Sequence, residues 1–144
     1  MANPAKQGQI EESSSAAMAQ SVLTAPMATI GVPKEIKVDE QRVALTPDAV
    51  KELVTHGLEV RIQSGAGSGA GIDDEAFAAA GAQIVDQEQA WGAHLVVKVK
   101  EPQPEEFRFL RNDMVLFTYL HLAAYPEVGE ALLAAGTTGV AYET

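Results

Sequence analysis

HLVVKVKEP, residues 94–102, is the segment that reveals the architecture of this chain. Leu95, Val96 and Val97 follow one another with no polar residue between them, the pattern of a strand covered on both faces in a parallel sheet. Lys98 and Lys100 share a parity, so on an extended chain both point to one side. They come at the carboxyl end of the strand, which Glu101-Pro102 stops. Small ligands bind outside the carboxyl ends of the strands in open parallel α/β sheets, so a cation placed there is a candidate for holding a small anion.

Both flanks of this strand alternate in the same way. Upstream, Thr29-Ile30-Gly31-Val32 reads as a short strand closed by Pro33. Thr46-Pro47-Asp48 then opens a helix with a capping residue and a proline in its first turn, Val50, Leu53 and Val54 give it an apolar face, and Gly57 ends it. Glu59 to Gln63 is the next strand. A glycine-rich loop leads to a short helix from Asp74 to Ala80, ended by Gly81, then a strand from Ala82 to Val85 and a helical turn at Glu88 to Gly92. Downstream, the spacing predicts a helix around Glu105 to Arg111, a strand from Met114 to Leu120, a helix around Tyr125 to Ala135 and a strand from Thr138 to Tyr142. Strands alternating with helices imply βαβ units with right-handed crossovers. The expected fold is therefore α/β: a doubly wound, mostly parallel sheet with flanking helices, Rossmann-like.

Composition narrows the function classes. The 144 residues carry a formal net charge of −10, against the basic face that a nucleic-acid module normally shows. No apolar run approaches the roughly 20 residues of a membrane span. There is no cysteine, hence no disulfide framework and no thiolate nucleophile or metal ligand, which fits a reducing cytoplasm. Residues 1–26 are rich in Gln, Ser and Ala and lack aliphatic periodicity until Val22-Leu23, so they read as a disordered tail or a mis-called start, with a new start at Met27. Residues 27–144 form the expected domain.

Three side chains follow the carboxyl ends of strands. Arg42 lies in the long loop after the first, Lys100 follows the lysine strand and His121 closes MVLFTYLH, residues 114–121. An arginine fork suits a carboxylate bidentately, a lysine adds a point charge and a histidine exchanges protons near neutral pH. Together they suit a small carboxylic acid, although loop arginines and strand-end lysines are usually solvated. For His121 alone the bland alternative is a core-edge histidine bonding a carbonyl. Residues 65–70, GAGSGA, also fit G-x-G-x-x-A, with Asp86 about 20 residues on. In a dinucleotide site the helix starts inside the glycines, whereas here Gly71-Ile72-Asp73-Asp74 intervenes and the helix would begin at carboxylates that repel phosphate. The expectation is a capped loop and no cofactor-binding residue in this chain. No metal site is expected either.

Several motifs, taken together and in order, resemble the amino-terminal part of the alanine dehydrogenase family. They are GVPKE with RVALTP, SGAGSGAGI with DEAFAAAGA, LVVKVKEP, LFTYLHLAA and GVAYET, spanning residues 27–144. The alpha subunit of the proton-translocating nicotinamide nucleotide transhydrogenase shares the opening elements, but typically reads KVNAP where this chain has KVKEP and lacks the histidine of LHLAA. The resemblance implies that Arg42 and Lys100 bind the carboxylate and carbonyl region of pyruvate or L-alanine, that His121 is the proton donor and acceptor, and that Lys98 is structural. Tyr119 would line the pocket. The implied reaction is reversible oxidative deamination of L-alanine to pyruvate and ammonia, with NAD held by a domain missing from this chain and a homo-oligomer, a hexamer, at full length. On this reading the chain is truncated before its NAD-binding domain and inactive alone. The alternatives are a transhydrogenase alpha-subunit domain and a non-catalytic small-carboxylate binding or assembly module.

Overall fold

The computed structural model describes residues 28–143; the expectation for residues 1–26 falls outside them. β1 (Thr29–Val32), α1 (Pro47–Thr55), β2 (Glu59–Gln63), α2 (Asp74–Ala79), β3 (Gln83–Val85), α3 (Gln87–Trp91), β4 (Leu95–Val97), β5 (Val115–Thr118), α4 (Pro126–Ala135) and β6 (Thr138–Ala141) follow in order. The strands form one sheet in the order β3-β2-β1-β4-β5-β6, and every pair is parallel. The sheet is wholly rather than mostly parallel, with the strand order of a doubly wound dinucleotide-type fold.

Local chemistry explains where the helices begin. The Thr46 hydroxyl accepts from Ala49 N at 3.2 Å and Pro47 occupies the first turn of α1. Asp73 caps α2 through Ala76 N at 2.9 Å. At α3, Asp86 and Gln89 cap each other reciprocally, so donors left free at the helix start are satisfied within the segment. Gly57 at φ +82° and Gly136 at φ +68° follow α1 and α4 in the left-handed region, where a side chain would be strained.

Alternate residues of each strand face opposite layers. Ile30, Val32, Val60, Ile62 and Val97 join Val50 of α1 and Phe77 of α2 in one core cluster. Val96 and Leu116 join Trp91 of α3 and Val128 and Leu132 of α4 in the other. Gly31 faces the second layer, and there the approach is so close that a Cβ would stand 1.8 Å from the carbonyl oxygen of Ala90 in α3. Only a residue without a side chain lets that helix lie on β1.

Two expected elements differ in detail. The segment expected as a helix around Glu105 to Arg111 is a 3-10 helix, Pro104–Phe109. β4 ends at Val97, so Lys98 and Lys100 lie beyond the strand and the parity argument does not apply to them. Lys98 is completely buried, while Lys100 is half-buried.

Candidate functional site

In this strand order the chain reverses direction between β1 and β4, and the crevice at that reversal is where such sheets take ligands. Arg42 follows β1, Lys100 follows β4 and His121 follows β5, so the three expected site residues come from three consecutive strands of the sheet. Parallel pairing brings their carboxyl ends to one edge.

Arg42 is exposed and its guanidinium already grips a carboxylate: Nε and one terminal nitrogen each donate to Glu40 at 2.8 Å. The Arg42 side-chain bonds hold the Glu40 carboxyl down at about 2, and the Lys100 ammonium contributes to the same lowering. Arg42 also lines a cleft of about 270 Å³ with Thr46, Ile72, Val99, Tyr119 and Tyr142. Lys100 and His121 do not line that cleft. His121 adjoins it through Tyr119, on which its ring is stacked at 5.6 Å and 13°.

Lys98 also borders the Arg42 cleft, but its ammonium is engaged within the protein. Its Nζ lies 2.6 Å from Glu35 and 3.3 Å from Glu106, both carboxylates buried, beneath the ring of Trp91. Burial pushes the Glu106 carboxyl up despite the Lys98 charge. Glu35 does more than balance Lys98. Its Oε1 accepts from the backbone nitrogens of Val99 and Lys100, so the segment after β4 is tied to the segment after β1 across the crossover. The hydroxyl of Thr118 adds a 2.8 Å bond to the Lys100 carbonyl from β5.

His121 bonds a buried carboxylate rather than a carbonyl. Its Nδ1 lies 2.7 Å from Oε2 of Glu101, whose side chain is 2% exposed, and the other oxygen of Glu101 is paired with the ammonium of Lys37. Burial pushes the Glu101 carboxyl up, and the bonds from Lys37 and His121 outweigh it and hold the group below its ordinary value. His121 also has a backbone φ of +50°, a left-handed conformation that a non-glycine residue adopts at a cost of roughly 1–3 kcal/mol. Its amide donates to Glu143, which helps to hold that conformation. Glu35, Lys37 and Glu101 were not singled out in the sequence, where Glu101 reads only as the end of a strand. The available signal was an acidic residue between a lysine pair and a proline, too common to stand out.

The glycine-rich loop, residues 65–70, has donors engaged by a carboxylate of its own chain. The carboxylate of Asp74 accepts from Ser64 Oγ at 2.7 Å and Gly65 N at 2.9 Å, taking donors that a pyrophosphate would need. Those bonds hold the Asp74 carboxyl below its ordinary value, so a negative charge stands where phosphate would bind. A Cβ on Gly69 would stand 2.8 Å from the Gln41 carbonyl oxygen, so the loop buttresses the segment that carries Arg42. Among the described residues no cluster of His, Asp and Glu is arranged to hold a metal ion, and no helix is long and apolar enough to cross a membrane.

Comparison with known proteins places the fold in a family. Over 116 residues the chain is 55% identical with the alanine dehydrogenase of Bacillus subtilis (strain 168), covering 80% of this chain and 31% of the relative. Over 117 residues it is 54% identical with the alanine dehydrogenase of Mycolicibacterium smegmatis, covering 80% and 32%. A solved L-alanine dehydrogenase superposes with a TM-score of 0.79 at 51% identity, over 81% of this chain and 32% of that one. A transhydrogenase from Sinorhizobium meliloti gives 0.74 at 30% identity, over 78% and 34%. The chain thus spans about a third of the length of these relatives. Residues 31–144 match the family described as "Alanine dehydrogenase/PNT, N-terminal domain", and the chain belongs to that family.

Proposed function

We propose that this chain is the substrate-binding part of an NAD-dependent L-alanine dehydrogenase. Arg42 and Lys100 take the carboxylate and carbonyl region of pyruvate or L-alanine, and His121 gives and takes the proton. The observation that carries this reading is the bidentate grip of Arg42 on the Glu40 carboxylate beside the cleft at the chain reversal, with His121 stacked on the neighbouring Tyr119. Glu40 occupies the fork as a substrate carboxylate would, so binding exchanges one carboxylate for another. The identity of 50% or more with proteins named alanine dehydrogenase, against 30% with the transhydrogenase, favours alanine over the transhydrogenase reading.

NAD, the hydride acceptor of that reaction, would be held outside residues 28–143, because the glycine-rich loop does not fit it. The work left to this chain is to orient the substrate and carry protons. The proposed surroundings are the cytoplasm and a homo-oligomeric assembly. The test is kinetic, in a protein that joins this chain to a nicotinamide-binding domain. Arg42→Ala and Lys100→Ala should raise KM for pyruvate, each losing a charge-assisted bond of about 1.5–3 kcal/mol. His121→Ala should lower kcat by roughly 10²- to 10⁴-fold. Unchanged turnover in His121→Ala overturns its assignment, and unchanged KM in both cation variants overturns the binding site.

A further inference from the structure

We propose that Glu101 is the positioning residue for His121: a buried carboxylate, kept ionised by Lys37, that selects the ring tautomer and leaves Nε2 as the nitrogen that exchanges protons. The proposal deepens the reading of His121 as the proton carrier and rests on it.

An ionised carboxylate only accepts hydrogen bonds, so the imidazole nitrogen 2.7 Å from Glu101 Oε2 must be the one carrying hydrogen. In the neutral ring the lone pair then belongs to Nε2, and proton transfer to or from a ligand is confined to that atom. Among the described residues none hydrogen-bonds Nε2, the His121 side chain is 33% exposed, and the residue lines a pocket of about 460 Å³ with Leu122, Ala124, Ala141 and Glu143.

A carboxylate buried without a partner would take up a proton and lose this selectivity. Glu101 is prevented from doing so by Lys37, which ion-pairs with Oε1 and is itself placed by Tyr125, whose hydroxyl lies 3.4 Å from Nζ and whose ring centre lies 4.5 Å away. Gln103 Nε2 donates to the Glu101 carbonyl at 3.0 Å, steadying the same segment. Lys37, Glu101 and His121 follow β1, β4 and β5, so one chain of contacts runs along the carboxyl edge of the sheet.

The ring orientation is restrained from other sides too. Tyr119 stacks on one face and Tyr125 meets the ring edge-on at 6.4 Å and 78°. The third charged group at hand is Glu143, and it accepts from the His121 backbone, not from the ring. Glu101 is thus the group that distinguishes Nδ1 from Nε2.

The test is nitrogen-detected NMR of the 144-residue chain labelled with 15N at its three histidines, at a pH where the rings are neutral. His121, assigned through His121→Gln, should appear as a single Nδ1–H tautomer. Glu101→Gln, which keeps the shape but can present an amide hydrogen to the ring, should give mixed or inverted tautomers in a chain whose backbone amide spectrum is otherwise retained. Lys37→Met should weaken the preference in the same direction. An Nε2–H tautomer for His121 in the unaltered chain overturns the proposal, even if the variants fail to fold, and so does an unaltered Nδ1–H signal in folded Glu101→Gln. The outcome is independent of turnover. Should the tautomer respond as expected while His121→Ala leaves kcat unchanged, Glu101 positions the ring and the proton-carrier reading is the one that fails.

Discussion

Lys98 has one positive charge between two carboxylates, all three side chains being almost wholly out of water, and this determines what substitutions there will do. Removing the lysine strands Glu35 and Glu106, so Lys98→Met should lower unfolding free energy by about 3–5 kcal/mol, read from urea denaturation. Glu106→Gln should behave differently, because burial already favours its neutral form. A carboxyl raised in the folded state keeps a proton that the unfolded chain has released. Stability therefore declines as pH climbs above the ordinary value of 4.5, and a glutamine removes that decline. Urea midpoints of the two proteins should agree at acid pH, with Glu106→Gln the more stable near neutrality. Glu40 has the opposite sign. Its carboxyl sits at about 2 against an ordinary 4.5, so its contribution is present above 4.5 and is lost as pH falls towards 2. Because Arg42 is 63% exposed, solvent screens the pair, and Glu40→Gln should blunt acid sensitivity only slightly.

Two close approaches govern how the elements meet. α3 lies against β1 at Gly31, where a methyl group would collide with the Ala90 carbonyl; Gly31→Ala should therefore cost at least the roughly 1–3 kcal/mol of an overpacked core, seen as a lower denaturation midpoint. Gly69→Ala should spare the core and act on function. It pushes against the Gln41 backbone, whose neighbour is Arg42, so weaker pyruvate binding is expected by calorimetry, beyond any lowering of the melting temperature. The same loop should show no saturable heat with NAD, since Asp74 occupies its donors. Saturable binding abolished by Gly67→Val would refute that description of the loop.

Across the whole sheet the covering is uneven. The layer with α1 and α2 packs over β1, β2 and β3, while β6 is exposed along its length, with Val140 44% and Tyr142 40% exposed beside Phe117. Uncovered apolar surface is worth about 25 cal/mol per Å², and association costs about 4–15 kcal/mol of lost freedom. Weak, concentration-dependent self-association with binding of a hydrophobic dye is expected, and Val140→Ser should reduce both in sedimentation and fluorescence assays. A monomer that binds no dye would show that this face is closed. The alternation of strands and helices, the cap at Thr46, and the placement of Arg42, Lys100 and His121 after strand ends were all legible in the amino-acid sequence, because hydrophobic period, capping and turn chemistry act over a few residues. The 3-10 geometry of residues 104–109 was not, since a short amphipathic segment fits either helix. Nor was the pairing of Lys98 with Glu35, 63 positions away, or of His121 with Glu101 and Glu101 with Lys37. Those depend on the order in which strands pair, and only the folded sheet, by bringing β1, β4 and β5 side by side, turned scattered charges into partners.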